Sequence, residues 1–200
     1  MKVAIIKYNA GNIMSVDYAL QRLGIEAEVT DSHEKILAAD KVIFPGVGEA
    51  STTMKYLKQH QLDELIRSLK QPVLGICLGM QLMCKHSTEG DVNCIGIFDE
   101  EIVRFSPRPG MSTITKVPHM GWNIITGLRS DLFDASIEGQ YVYFVHSYYT
   151  TLGEHTSATG NYIVPFSAAV QKENFYATQF HPEKSGPVGA RILQNFIEKC

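Results

Sequence analysis

Residues 72–83 read PVLGICLGMQLM, and the character of this stretch changes at Cys77. The apolar residues before the cysteine have the composition of a strand that is buried on both faces, and the residues after it suit a helix. Gly75 and Gly79 flank the cysteine, and small residues are what a cramped turn needs. The stretch therefore predicts a strand, a sharp turn and a helix, with Cys77 at the turn.

The segments before this stretch alternate in the same way. We predict strands at 2–6, 25–30 and 41–46, a helix that Asn12 caps and Gly24 ends, a short helix near 33–39, and helix over 50–70 with a break near His60. This alternation is typical of a largely parallel sheet flanked by helices. We therefore expect a three-layer α/β fold.

The sequence after about residue 90 has a different texture. Short strand candidates, separated by Gly, Pro and Asn, occur at 101–105, 141–145, 166–171 and 175–180, and a final helix begins near Pro187. The C-terminal half is thus predicted to be rich in β-structure. A chain of 200 residues suits one domain, which we expect to span residues 1–200.

Composition excludes several classes of function. Hydrophobic residues make up 44% and charged residues 20% of the chain, and 18 basic against 21 acidic residues give a net charge of −3. Because there is no basic stripe and no apolar run near the roughly 20 residues that span a bilayer, we expect neither nucleic-acid nor membrane binding, and a cytoplasmic location. Four cysteines without a CxxC pair argue against a metal site, and we expect no cofactor.

Cys77 is the first candidate catalytic residue. In an α/β sheet, ligands collect beyond the carboxyl ends of the strands, and Cys77 is predicted to lie at such an end. The N–H of Leu78 would begin the next helix, where free amides and the helix dipole favour a thiolate or an oxyanion. A buried, inert cysteine is an equally good interpretation of this segment alone.

The segment QFHPEKSG at 179–186 supplies the other two candidates. On an extended segment His181 and Glu183 would leave the same face, and Pro182 is expected to prevent a helix there. A carboxylate beside a histidine can fix the tautomer of the ring and steady the imidazolium. An isolated HPE is usually an ordinary loop, and His146 is a rival base, but His146 lacks an acid two residues on.

The segment FPGVGEA at 44–50 is a candidate oxyanion hole. Gly46 and Gly48 on either side of Val47 would allow backbone N–H groups to point into the site. A phosphate-binding loop is the alternative, but the spacing matches neither a P-loop nor a dinucleotide fingerprint.

PGVG, GICLGMQ and HPE, in this order, resemble the class I or triad glutamine amidotransferases. VPHMGWN at 117–123, YFVHSY at 143–148 and YNAGN at 8–12 resemble more closely the glutaminase subunits of imidazole glycerol phosphate synthases, enzymes of histidine biosynthesis. The resemblance covers essentially the whole chain and implies the flavodoxin-like fold of that class. Two departures are the glycine-poor segment 87–101 and Ala177, where a glycine is common.

The resemblance implies a mechanism. Cys77 would attack the carboxamide of L-glutamine, with His181 moving the protons and Glu183 orienting His181. The oxyanion would be held by Leu78 and by an amide of Val47 or Gly48. The substrate glutamine would be held by four residues: Gly46, Gln81, Ser147 and Tyr148.

The resemblance also implies a partner, because ammonia lost to water would be protonated and useless as a nucleophile. The partner would be the (β/α)8-barrel cyclase subunit of imidazole glycerol phosphate synthase. Four residues are expected at or near the interface: Asn12, Met120, Trp122 and Lys184. Trp122 is the only tryptophan, and a core position is the alternative for it.

Three other functions compete with this interpretation. The first is a glutaminase that serves another synthase, such as anthranilate or GMP synthase. The second is a stand-alone γ-glutamyl hydrolase with the same fold and triad. The third is a binding or regulatory subunit that has kept the scaffold and lost catalysis.

Overall fold

The computed structural model describes residues 1–9, 12–106 and 116–200. Ala10 and Gly11 of the YNAGN motif lie outside the described residues. The first half alternates between strands and helices: β1 (Val3–Ile6), α1 (Ile13–Arg22), β2 (Ala27–Thr30), α2 (His33–Leu37), β3 (Lys41–Gly46), α3 (Ala50–Gln59), α4 (Leu62–Ser68), β4 (Val73–Cys77) and α5 (Leu78–Met83).

The second half consists mainly of strands and ends in a helix: β5 (His86–Ser87), β6 (Val92–Asn93), β7 (Glu101–Arg104), β8 (His119–Ile124), β9 (Tyr141–His146), β10 (Tyr148–Thr150), β11 (Thr156–Tyr162), β12 (Val164–Lys172), β13 (Phe175–Thr178) and α6 (Gly186–Lys199). Short 3-10 turns lie at Ala135–Ile137 and Pro182–Lys184. The expected β-rich C-terminal half is therefore confirmed.

The central sheet begins with five parallel strands in the order β2-β1-β3-β4-β13, which is the doubly wound flavodoxin-like order. It continues through β12, β10, β7, β5 and β6, mostly with antiparallel pairing, and β11 pairs with β12. β8 and β9 form a separate antiparallel hairpin-like sheet in which Trp122 pairs with Tyr143. The largely parallel sheet expected from the sequence is confirmed.

Alternation along the buried strands divides the core into two clusters, one on each face of the sheet. Ala4, Phe44 and Val73 pack on the face that helices α2 to α5 cover. On the opposite face, Ile5 and Leu74 pack with α1 and α6. The continuous apolar runs of the sequence are therefore explained by a sheet that is covered on both sides.

The structure corrects two details of the sequence interpretation. Asn12 does precede α1, but its side chain caps none of the helix N–H groups and donates instead to Glu183. Pro182 does not prevent helical structure, because it lies in the first position of a 3-10 turn, where its missing N–H costs nothing. The predicted break near His60 is confirmed, since Gln61 adopts a left-handed conformation between α3 and α4.

None of the helices in the described parts of the chain is long and apolar enough to cross a membrane.

Candidate active site

Cys77 lies at a strained turn between β4 and α5. Its φ of 54° and ψ of −107° lie in a region that residues with a side chain rarely adopt, and such strain concentrates at functional sites. Helix α5 approaches β3 so closely that a Cβ on Gly79 would lie 1.9 Å from the Phe44 carbonyl oxygen. Glycine at position 79 thus allows the close packing that holds the turn in place.

The structure brings His181 and Glu183 together with Cys77. Nδ1 of His181 lies 2.8 Å from Oε1 of Glu183, and the two side chains are only 3% and 0% exposed. The Asn12 amide donates to the same carboxylate oxygen at 2.5 Å. Because Nδ1 is occupied by the carboxylate, Nε2 is the nitrogen of His181 that is free to exchange a proton with the thiol.

The pKa values of the two buried histidines in the site are shifted in opposite directions. Burial would lower the pKa of His181, but its interactions with Cys77 and Glu183 outweigh burial and raise the pKa to about 10. Burial instead lowers the pKa of His146 to about 3, although its hydrogen bond with the Tyr148 carbonyl opposes this. His146 contacts His119 and this carbonyl rather than a carboxylate, which disfavours it as the rival base.

A cavity of about 330 Å³ opens next to Cys77. Its wall contains most of the residues that the sequence singled out: Val47, Gly48, Leu78, Gln81, Ser147, Tyr148, His181 and Lys184. Gly46 is buried behind this wall, where it pairs with Cys77 between β3 and β4. A cavity of this size, with polar groups on its wall, suits a small molecule.

The candidate oxyanion loop is anchored from behind. The Tyr8 hydroxyl donates to the Pro45 carbonyl at 2.5 Å, immediately before Gly46. Burial, and secondly the charge of Cys77, raise the pKa of Tyr8 far above its usual value, so the hydroxyl stays a donor. Gly48 has a φ of 132°, which L side chains rarely adopt, so a glycine is required there.

Two polar residues of the site were missed by the sequence interpretation. Glu89 contributes a carboxylate to the cavity wall, and its Oε2 accepts from the N–H of Ala50 at 2.9 Å. Gln179 is fully buried, and its Nε2 lies 3.7 Å from the Cys77 sulfur. Glu89 lies in the glycine-poor segment, which gave no motif, whereas Gln179 stands only two residues before His181.

The departure at Ala177 is accommodated by its neighbour. Ala177 on β13 pairs with Gly75 on β4, and a Cβ on Gly75 would lie 3.2 Å from the Cβ of Ala177. The extra methyl group therefore fills space that the glycine opposite leaves free.

The four expected interface residues differ in their exposure. Met120 and Trp122 are 64% and 55% exposed on the outer face of β8, so the core alternative for Trp122 is wrong. Lys184 is exposed at the wall of the cavity. Asn12 is half-buried and is engaged by Glu183.

The residues described at 1–9, 12–106 and 116–200 contain no group of three or more His, Cys, Asp or Glu side chains that could hold a metal ion.

Comparison with known proteins places the whole chain in one group. Residues 4–200 match the family model described as glutamine amidotransferase class-I. The imidazole glycerol phosphate synthase subunit HisH of Bacteroides fragilis is 64% identical over 198 residues, which cover 99% of this chain and 100% of that protein. The protein of the same name from Haemophilus influenzae is 46% identical, over 100% of this chain and 98% of its own length.

The fold has solved counterparts at low sequence identity. A crystal structure of a glutamine amidotransferase superposes with a TM-score of 0.73, at 20% identity, over 98% of this chain and 97% of that one. The structure of PurLQS from Thermotoga maritima gives a TM-score of 0.70 at 15% identity, over 98% of this chain and 97% of that one. At these identities the likeness concerns the fold alone.

Proposed function

This chain belongs to the class-I glutamine amidotransferase family, and from that membership we propose that it is the glutaminase subunit of an imidazole glycerol phosphate synthase. It hydrolyses glutamine to glutamate and ammonia, and a cyclase subunit uses the ammonia to make imidazole glycerol phosphate and AICAR. The observation that carries the proposal is the juxtaposition of Cys77, at its strained turn, with the buried His181–Glu183 pair. The choice of synthase rests on the 64% identity to HisH of Bacteroides fragilis over nearly the full chain.

The first half of the reaction is acylation of Cys77. His181 takes the thiol proton at Nε2, and the sulfur attacks the side-chain carboxamide carbon of glutamine, which forms a C–S bond and a tetrahedral oxyanion. His181 then gives the proton to the departing nitrogen, and the C–N bond breaks to release ammonia. Glu183 holds the imidazolium through Nδ1 at 2.8 Å, so the charged intermediate is stabilised where it forms.

The second half is hydrolysis of the γ-glutamyl thioester. Water gives a proton to His181 and attacks the carbonyl carbon, and the C–S bond then breaks to release glutamate and restore Cys77. The proposal assigns the oxyanion of both steps to the Leu78 N–H, which begins α5, and to an N–H of Val47 or Gly48.

The cavity wall supports the binding of a zwitterionic amino acid. Both N–H groups of Gln81 have partners, since Nε2 donates to the Tyr148 carbonyl at 3.1 Å and to Gln179 Oε1 at 2.9 Å. Its Oε1 therefore remains to accept from the α-ammonium group of glutamine, and the Glu89 carboxylate supplies an opposite charge. Ser147, Tyr148 and the strand that ends at Gly46 complete the substrate site.

The partner belongs to the same proposal. A (β/α)8-barrel cyclase would dock against the outer face of β8 and form a heterodimer that shields the ammonia from water. Met120 and Trp122 expose large apolar surfaces there, and aromatic residues of this kind anchor interfaces. Lys184 would lie at the rim, while Asn12 would act from beneath through Glu183. A lyase activity of the assembled synthase and a cytoplasmic location are further parts of the proposal.

The proposal is tested by glutamate release from glutamine, measured for the protein alone and with an imidazole glycerol phosphate synthase cyclase and its nucleotide ligand. We expect strong stimulation by the cyclase and its complete loss in Cys77→Ala. Negligible turnover with the cyclase present would refute the pathway assignment. Equal turnover with and without it would instead favour a stand-alone γ-glutamyl hydrolase.

A further inference from the structure

We propose, on the basis of the function proposed above, that Gln179 is a positioning residue for the Cys77 thiol and terminates a hydrogen-bond chain that begins at His119. The chain runs from the inner face of the exposed β8–β9 sheet to the nucleophile. It passes through the groups assigned to glutamine binding. Its members, in order, are His119, His146, the Tyr148 carbonyl, Gln81, Gln179 and Cys77.

The donors and acceptors at the Cys77 end of the hydrogen-bond chain are defined by the contacts of Gln179. Gln179 is fully buried, and its Oε1 accepts from Gln81 Nε2 at 2.9 Å. Its amide cannot rotate without losing this bond, because two N–H groups would then face each other. Nε2 of Gln179 is therefore directed at the Cys77 sulfur, 3.7 Å away, as a donor. A donor at this point stabilises a thiolate more than a thiol.

The donors and acceptors at the His119 end of the hydrogen-bond chain are also defined. A carbonyl oxygen only accepts, so His146 donates from Nδ1 to Tyr148 at 2.8 Å, and its Nε2 carries no proton. That nitrogen then accepts from Nδ1 of His119 at 2.9 Å. Burial lowers the pKa of His119 to about 4 and that of His146 to about 3, so both rings are neutral at physiological pH. The two halves of the hydrogen-bond chain therefore meet at the Tyr148 carbonyl, which accepts from His146 on one side and from Gln81 on the other.

The chain connects two surfaces of functional interest. His119 precedes Met120 on β8 and points inward, where it is buried and stacks on Tyr162 with 4.0 Å between ring centroids. Met120 and Trp122 point outward from the same strand. A displacement of β8 would therefore alter the His119–His146 bond, which acts on the Tyr148 carbonyl and on Gln81.

The thiol end is tested by the pH dependence of Cys77 alkylation with iodoacetamide, followed by peptide mass spectrometry, in the full chain without a partner. In Gln179→Met, which has no donor, we expect the profile to move up by about one pH unit and the rate at neutral pH to fall about tenfold. Gln179→Leu also lacks the donor and adds no charge beside the thiol, and it is the second variant if the first does not fold. The titratable groups facing Cys77, Tyr8 and His181, are retained throughout.

The matched control is Thr178→Val. It removes the buried hydrogen bond that the Thr178 hydroxyl donates to the Phe180 carbonyl, and Thr178 directly precedes Gln179 in the sequence. A purely structural role for Gln179 predicts that all three variants lose stability and keep the wild-type pH profile. An unchanged profile in folded Gln179→Met or Gln179→Leu would overturn the proposal. Since alkylation needs neither glutamine nor a cyclase, this result stands even if glutaminase activity is absent and the proposed function fails.

The distant end is tested by His119→Leu and His119→Asn, of which only the asparagine offers an N–H at the position of Nδ1. We expect His119→Leu to raise the KM for glutamine about tenfold, with a smaller change in kcat, and His119→Asn to restore most of the loss. Equal KM values in the wild type and folded His119→Leu would refute the hydrogen-bond chain. A His119→Asn variant whose KM stays as high as that of His119→Leu would refute it too. Thermal unfolding of each variant identifies those that are folded.

Discussion

Replacing Glu183 with glutamine removes the negative charge beside His181 while almost preserving the size of the side chain. Oε1 of Glu183 accepts from both Asn12 and His181, so the glutamine oxygen is expected to keep that position. Its NH2 group then occupies the place of Oε2, which is buried and has no hydrogen-bond partner among the described residues. The variant thus keeps the tautomer of His181 and loses its counter-ion.

The magnitude follows from the geometry of the pair. The two side chains are almost completely buried and 2.8 Å apart, so solvent screens their interaction little. An opposite charge at this range shifts a pKa by about 1 to 3 units, which is roughly 1.4 to 4 kcal/mol. We therefore expect the pKa of His181 to fall from about 10 to roughly 7 to 9, and glutamine turnover to fall roughly 10- to 1000-fold.

The assay combines a titration with kinetics. The imidazole signal of His181 can be followed by NMR in a chain of 22.3 kDa and assigned with a His181→Asn variant. Glutamate release in the presence of the cyclase gives the rate. Glu100→Gln is the matched control, because Glu100 is also a buried carboxylate paired with a histidine, 3.1 Å from His155 Nδ1, but lies outside the cavity wall.

A His181 titration that is identical in the wild type and in Glu183→Gln would refute this electrostatic role of Glu183. An equal loss of turnover in Glu100→Gln and Glu183→Gln would refute it too, because the loss would then reflect general damage to a buried pair. A fall in pKa without a fall in turnover would show that the charge of Glu183 is not used in catalysis.

Three further predictions concern the cavity, the docking surface and a helix cap. Glu89→Gln should raise the KM for glutamine about tenfold or more with little change in kcat, because it removes the charge opposite the α-ammonium group; steady-state kinetics measures this. Trp122→Ala should weaken cyclase binding by about 2 kcal/mol or more, seen by calorimetry, while the free energy of unfolding changes by less than about 0.5 kcal/mol. Glu49 caps α3, where its side chain accepts from the N–H groups of Ser51 and Thr52. Burial opposes the shift, but these hydrogen bonds lower the pKa of Glu49 to about 2, so its contribution to stability is complete above about pH 4.5 and is lost as pH falls toward 2. The free energies of urea unfolding of the wild type and Glu49→Gln should therefore converge across that range.

The sequence determined the order of the elements and the identity of the chemistry-bearing residues. Apolar runs at β1, β3 and β4 alternate between the two faces of a sheet, so their burial follows from side-chain period alone. The glycines around Cys77 and the acid two residues after His181 are local signals, which a sequence displays directly.

Some of the local expectations were wrong because distant residues compete for the same groups. Asn12 has the side chain of a helix cap, but a carboxylate 171 residues away accepts its N–H instead. Pro182 was expected to keep its neighbours extended, but packing closes a 3-10 turn around it. Propensity describes what a residue does when only its neighbours matter, and neither residue is in that situation.

Only the tertiary structure decided which polar groups meet in the cavity. Glu89 comes from a segment without a motif, and it reaches the wall because its carboxylate accepts from the first N–H of α3. Gln179 and Gln81 are 98 residues apart in the chain, and the direction of their amides is set by each other and by the Tyr148 carbonyl. Hydrogen-bond partners are fixed by distance in space, which is defined only once the sheet has formed. The alternation of strands and helices, and the candidate triad of Cys77, His181 and Glu183, could instead be predicted from periodicity and spacing along the sequence.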